Sequence, residues 1–248
     1  MIGIVLAAGQ GQRLRPYTDA LPKTLIPVDG DLTILDIILA NMAKSGITDV
    51  TLVAGYAAEA LDARVPDLKA RHGLDISSIY LDRFDRNNAY SLWLARDVYA
   101  DGALLVNGDT VHPVDVEQTV LAARDAAAPG SPDLLLALDV TKQLTDEAMK
   151  VTLGGDGTVE RITKLMPVEA AHGEYIGVSL IGASIASDLA SALEETWQRD
   201  DNLYYEDGYQ TLIGHGVPVG VAPLPALEWV EVDDHADLER ARELACRC

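Results

Sequence analysis

The sequence predicts an α/β fold built on a mostly parallel central sheet, with a small β-hairpin and helical subregion added to it. Residues 2–8 are almost wholly apolar and run straight into a glycine loop, the pattern of a parallel strand covered on both faces. Residues 33–44 carry apolar side chains at helical spacing and stop before Gly46, and residues 49–54 form a second apolar run. Strand, loop, helix and strand in that order make a right-handed βαβ unit. Further on, Gly154-Gly155-Asp156-Gly157 separates two short β-branched segments at 151–153 and 158–162, a hairpin signal.

The alternation continues along the chain. Helical periodicity covers 57–71, 89–98 and 114–127, and strand patterns cover 76–81, 103–107 and 134–140. After the hairpin come a strand at 175–181, helices at 186–199 and 206–214, strands at 217–221 and 228–232, and a last helix at 235–245. No internal repeat or low-complexity linker interrupts this order.

A chain of 248 residues, 48% hydrophobic and 23% charged, can bury a sizeable core and reads as one domain over 1–248. The formal net charge of −20 speaks against a nucleic-acid polymer or an anionic membrane as partner, since both repel such a chain. Small anions respond to local charge, and the first 28 residues hold Arg13, Arg15 and Lys23 against Asp19 alone. The two cysteines, Cys246 and Cys248, sit at the end of the chain as an incidental tail and form no zinc-type array. His72, His112, His172, His215 and His235 are dispersed without metal-ligand spacing, and no Gly-x-Ser-x-Gly elbow is present. The N-terminal apolar run is cut by Gly9 and has no basic segment before it, so a cytoplasmic protein is expected.

The strongest chemical signal is the run Leu6-Ala7-Ala8-Gly9-Gln10-Gly11-Gln12-Arg13, followed by Pro22-Lys23-Thr24-Leu25-Ile26-Pro27. Glycines let backbone N–H groups approach phosphate oxygens, and Arg and Lys balance their charge. The run lacks the Gly-Lys-Ser/Thr of a Walker loop and the third glycine of a dinucleotide fingerprint. A second signal is Asp109, placed just past the apolar run 103–107, where open parallel sheets hold ligands. Its carboxylate suits a hard cation, although an aspartate in Asn107-Gly108-Asp109-Thr110 is also an ordinary turn residue. A third is Glu231-Val232-Asp233-Asp234: alternation puts Glu231 and Asp233 on one side of an extended segment, while Asp233 or Asp234 could equally cap the helix that follows.

These motifs resemble those of the nucleotidyltransferase superfamily that makes nucleotide-activated metabolites, whose signature is Leu-Ala-Ala-Gly-x-Gly-x-Arg and then Pro-Lys-x-Leu-x-Pro. The resemblance implies a Rossmann-like, three-layer nucleotidyltransferase fold, with a nucleotide-binding half over 1–112 and an acceptor-binding half over 113–248. It implies that Leu6, Ala7, Ala8, Gly9 and Gly11 wrap a nucleoside triphosphate, and that Arg13 and Lys23 neutralise its phosphates as the catalytic cations. Asp109, Glu231 and Asp233, ahead of Asp237-Leu238, would hold Mg2+.

Asn87-Asn88-Ala89-Tyr90-Ser91 is similar to the Asn-x-x-Tyr-Ser segment of phosphocholine-type cytidylyltransferases, and Gly55-Tyr56 to a Gly-Tyr near the same pocket. Gly55, Tyr56, Asn88 and Ser91 are therefore nucleotide candidates, with helix capping the alternative for Asn88 and Ser91. Lys150, Lys164, Glu174, Tyr175, Glu206 and Asp207 resemble the acceptor side of such enzymes. Lysine can hold an oxyanion, and carboxylates and aromatic faces can receive an ammonium group.

The reaction the resemblance implies is transfer of CMP from CTP to a small anionic acceptor such as phosphocholine or 2-aminoethylphosphonate, with release of pyrophosphate. The alternatives are a sugar-1-phosphate nucleotidylyltransferase using UTP, dTTP or GTP, and a nucleotide-binding regulatory module without catalysis. Oligomeric state is not legible in the sequence; a homodimer is the commonest assembly of soluble enzymes.

Overall fold

The computed structural model describes residues 1–83 and 86–245, so the tail cysteines Cys246 and Cys248 lie outside the described residues. The chain opens with β1 (Ile2–Ala7), β2 (Pro27–Asp29), β3 (Leu32–Thr33), α1 (Ile34–Lys44), β4 (Asp49–Ala54), α2 (Ala58–His72) and β5 (Asp75–Tyr80). Then follow α3 (Asn88–Leu94), β6 (Ala103–Asn107), β7 (Thr110–Val111), α4 (Asp115–Asp125), β8 (Leu134–Asp139), β9 (Lys150–Leu153) and β10 (Val159–Thr163). The rest is β11 (Gly173–Ile181), α5 (Ala186–Arg199), α6 (Tyr205–Gly214), β12 (Gly220–Pro223), β13 (Val230–Glu231) and α7 (His235–Ala245). The α/β, Rossmann-like class that the sequence predicts is the class observed. Among the described residues no helix is long and apolar enough to cross a membrane.

Among the described residues two compact units are formed, one from residues 1–83, 105–117 and 227–245, the other from residues 86–104 and 118–226. In the first, the strand order is β6-β1-β4-β5, and β1, β4 and β5 run parallel with Gly3 opposite Val50 and Val50 opposite Ile76. Ile4, Val5, Leu52 and Val53 are fully buried, which is why these strands read as unbroken apolar runs. Helix α1 starts at a capping box: Thr33 Oγ1 accepts from Asp36 N–H while Asp36 Oδ2 accepts from Thr33 N–H. Its face Ile34, Leu35, Ile38, Leu39 and Met42 is fully buried.

Two elements of this unit escaped the sequence reading. One is the β2–β3 hairpin, whose turn signal Asp29-Gly30 was present, with Gly30 at φ 56°. The other is β7, two residues long, which pairs antiparallel with β13 and sets Thr110 opposite Glu231. Too short for periodicity, β7 is set by its partner rather than by its own pattern.

The second unit contains the sheet β10-β9-β11-β8-β12. The expected hairpin is present, with Val159 opposite Leu153 and Asp156 Oδ1 accepting from Thr158 N–H across the turn. β8 pairs antiparallel with β11 and parallel with β12. The strand predicted at 217–221 is shifted to 220–223 because Val219 turns its carbonyl to Val159 N–H and Gly220 is the first residue in register with β8. Helices α3, α5 and α6 pack together, burying Leu193, Tyr205, Tyr209 and Leu212 completely.

Candidate active site

In the first unit β1 delivers the chain to the glycine loop, which its own side chains then brace. Gly11 adopts φ 57°, and a Cβ there would stand 3.0 Å from Thr18 Cγ2 and 3.2 Å from Lys23 Cβ, so glycine is required on two counts. Its carbonyl accepts from Leu14 N–H (2.9 Å) and from Thr18 Oγ1 (2.8 Å). The Tyr56 hydroxyl lies 2.9 Å from the carbonyl of Thr18 and 3.1 Å from that of Asp19, and Tyr56 N–H donates to Ala8 O at 3.3 Å. Tyr56, expected near the nucleotide, is thus tied to the loop by hydrogen bonds. Thr18 was not singled out in the sequence because no spacing distinguishes a threonine that folds back on its own loop.

The acidic residues reach the loop by a second route. Gly108 N–H donates to Leu6 O at 3.1 Å, and a Cβ on Gly108 would lie 2.4 Å from that oxygen. Only glycine lets β6 approach β1 this closely, which aims Asp109 at the loop. Val232 N–H donates to Asp109 O (2.9 Å), extending the β7–β13 ladder. One oxygen each of Asp109, Glu231 and Asp233 then lies within 4.8 Å of the others. The capping question is settled by geometry: Asp234 Oδ1 accepts from Ala236 and Asp237 N–H, and Asp237 Oδ2 accepts from Asp233 and Asp234 N–H. Asp234 caps α7, while the Asp233 carboxylate faces the basic residues.

Lys23 Nζ donates to Asp109 Oδ2 (2.9 Å) and Asp233 Oδ1 (2.6 Å), and Arg13 donates to Asp233 Oδ2 (2.8 Å). Burial alone would depress the pKa of Lys23, but the charges of Asp109 and Asp233 and their hydrogen bonds outweigh it and raise it above the ordinary lysine value. The lysine is therefore a fixed cation between two carboxylates. Arg13, by contrast, is 69% exposed.

The site fits a divalent metal on chemical grounds. Its donors are all carboxylate oxygens, the set a hard cation prefers. Asp109 Oδ1 is buried and has no hydrogen-bond partner, a costly state that a cation would relieve.

The remaining candidates belong to the second unit. Asn87, not Asn88, caps α3, its Oδ1 accepting from Asn88 N–H at 2.8 Å. Asn88 Oδ1 accepts from Tyr205 N–H at 2.9 Å, tying α3 to the start of α6, and Ser91 is buried within α3. Glu206 is buried in the first turn of α6, and Asp207 Oδ2 accepts from Tyr204 N–H at 2.8 Å. Tyr175 is buried with its hydroxyl 3.0 Å from that of Tyr205, and Lys164 Nζ is 5.4 Å from the Tyr204 ring centroid. Lys150 is wholly buried and donates to three backbone carbonyls. Glu174 is buried, and burial raises its pKa against the opposing pull of Lys142. Lys142, 3.2 Å from Glu174, was not among the sequence candidates.

A glycine loop with Arg13 and Lys23 beside three clustered carboxylates, at the end of a parallel sheet, is an arrangement whose chemistry suits phosphate oxygens and a hard cation. Residues 2–162 match the Nucleotidyl transferase family, and the chain belongs to it.

Among curated relatives, choline-phosphate cytidylyltransferase of Streptococcus pneumoniae is 33% identical over 106 residues, 42% of this chain and 43% of that protein. CMP-5'-(3-aminopropyl)phosphonate synthase of Streptomyces rubellomurinus is 30% identical over 96% of this chain and 38% of its own length. The chain thus spans about two fifths of the length of these two relatives. Among solved structures, the inositol-1-phosphate CTP transferase from T. maritima superimposes with a TM-score of 0.81 at 23% identity, covering 99% of this chain and 95% of that one. The CTP:phosphocholine cytidylyltransferase from Streptococcus pneumoniae gives 0.74 at 24% identity, covering 98% and 99%. At such identities the two structures establish the fold.

Proposed function

We propose that the chain transfers CMP from CTP to a small phosphorylated or phosphonate acceptor, such as phosphocholine or 2-aminoethylphosphonate, with Mg2+ and with release of pyrophosphate. The observation that carries this reading is the convergence of Asp109, Glu231 and Asp233 on Lys23 and Arg13 beside the glycine loop. Backbone N–H groups of the loop through Gly9 and Gly11 cradle the triphosphate, and Arg13 and Lys23 balance charge that builds on the phosphoryl oxygens. Asp109, Glu231 and Asp233 hold the metal, which supplies Lewis-acid charge neutralisation when bound. An acceptor oxygen attacks the α-phosphorus, the bond to the bridging oxygen breaks, and its electron pair leaves with pyrophosphate. Positioning and electrostatics suffice for such a displacement.

The choice of CTP is supported by the names of the two relatives and by the Asn88 to Ser91 segment. In this reading the nucleotide half expected at 1–112 draws two of its three acidic residues, Glu231 and Asp233, from the C-terminal stretch, and residues 118–226 serve the acceptor.

Pyrophosphate release measured over a matrix of nucleoside triphosphates and acceptors tests the proposal. Turnover with CTP and an amino-alkyl phosphate or phosphonate is expected. Hexose 1-phosphate turnover with UTP, dTTP or GTP and none with CTP would assign a sugar-1-phosphate nucleotidylyltransferase instead, and binding of nucleotide without any turnover would leave a regulatory module.

A further inference from the structure

Across β8, β11 and β9 three ionisable side chains stand in one row: Asp139 and Lys150 are the register partners of Glu174 on its two sides. All three are buried, Lys150 to 0% exposure. Two of them direct their charge at the segment 140–149 that links β8 to β9. Asp139 Oδ1 accepts from Thr141 N–H (2.8 Å), Thr141 Oγ1 (2.8 Å) and Lys142 N–H (3.1 Å). Lys150 Nζ donates to the carbonyls of Thr145 (3.3 Å), Asp146 (2.6 Å) and Ala148 (3.1 Å). Taking a charge out of water is costly, and a surface connection does not ordinarily need two such charges to fix its path.

What the fixed segment presents is Lys142, whose Nζ lies 3.2 Å from Glu174 Oε2 and whose side chain is 41% exposed. Lys142, Lys164 and Asp139 all act electrostatically on Glu174. Lys142 is the exposed cation of this row, in a chain of formal charge −20. An exposed ammonium group held in place draws a small anion locally where the chain as a whole would repel it.

We propose that Lys142 binds the anionic group of the acceptor and thereby sets acceptor specificity, on a segment pre-formed by Asp139 and Lys150. Resting on Glu174, its ammonium group turns to the incoming phosphate or phosphonate. The buried Glu174 carboxylate then needs a new cation, which selects acceptors that also carry an ammonium group. Lys150 thus serves the site by holding the segment, and Lys142 makes the contact. The inference rests on the acceptor class proposed above and names the residue that reads it.

Calorimetric titration of the full chain with methylphosphonate, without nucleotide, tests the anion contact. Steady-state pyrophosphate release with CTP and 2-aminoethylphosphonate tests its use. Lys142→Ala should weaken methylphosphonate and raise KM for the acceptor about 10- to 100-fold, the loss of one charge-assisted contact, while KM for CTP moves by less than about twofold. Lys142→Arg, which keeps the charge and the pairing with Glu174, should recover most of the loss. Non-saturable methylphosphonate binding by the wild type, equal binding by Lys142→Ala, or a KM for CTP that rises as far as that of the acceptor would overturn the proposal. Absence of wild-type turnover would defeat the reading of the reaction instead, and the calorimetric titration would still decide the anion site.

Discussion

Replacing Asp36 by Asn isolates one charge at the start of α1. Its carboxylate is fully buried, yet Oδ1 is 2.9 Å from His72 Nε2 and 3.2 Å from Arg71, and Oδ2 accepts from Thr33 N–H (3.0 Å) and Thr33 Oγ1 (2.7 Å). Burial by itself would raise its pKa, but the hydrogen bonds from His72 and Thr33 and the charge of Arg71 prevail and lower it from 3.8 to about 2. That shift corresponds to about 2–3 kcal/mol, at ~1.4 kcal/mol for each pH unit. Because the folded-state pKa lies below the unfolded one, the stabilisation is fully present above about pH 4 to 5 and is lost as pH falls through about 2.

Asn approximates the protonated carboxyl in size and charge. Asp36→Asn should therefore cost about 2–3 kcal/mol at pH 7 and progressively less toward pH 2. Urea denaturation of both proteins at a series of pH values measures the difference directly. A loss below about 0.5 kcal/mol at pH 7, the scale of an ordinary surface change, or one that stays constant between pH 6 and 2.5, would refute the argument that charge at Asp36 ties α1 to α2.

Three further outcomes follow from the site. Asp109→Ala should reduce turnover on the order of 10³-fold, several kcal/mol of lost transition-state charge stabilisation, with an unchanged circular dichroism spectrum; retained activity would remove Asp109 from the metal site. Arg13→Ala should leave stability within about 0.5 kcal/mol, since the side chain is 69% exposed, while kcat/KM for CTP falls about 10- to 100-fold; equal losses in stability and activity would make Arg13 a structural residue. Gly108→Ala should cost about 1–3 kcal/mol or more in denaturant, because its Cβ would meet Leu6 O at 2.4 Å, and a wild-type midpoint would show that the β1–β6 approach is loose.

Much of the candidate site was legible in the sequence because its signals are local. The glycine loop, Arg13 and Lys23 fall within one short stretch whose spacing itself reflects phosphate chemistry. Asp109 could be placed because it follows an apolar run, and the ends of such strands are where parallel sheets open to ligands. The second unit was harder to read. Asp139 and Lys142 stand in a polar stretch that looks like any solvated connection. Their roles depend on hydrogen bonds to Thr141 and on Glu174, a residue on another strand.

By itself the sequence determined the family of folds, the order of the longer strands and helices, and the basic half of the candidate site. Each of those is written in periodicity or in contiguous residues. Only the tertiary structure decided that Asp109 meets Glu231 and Asp233, because that meeting depends on the two-residue strands β7 and β13 pairing across more than a hundred residues of chain. It also decided between Asp233 and Asp234: the hydrogen bonds of Ala236 and Asp237 make Asp234 the helix cap, and Asp233 is turned to Lys23. Adjacent aspartates are equivalent as letters and differ only in where the backbone points them.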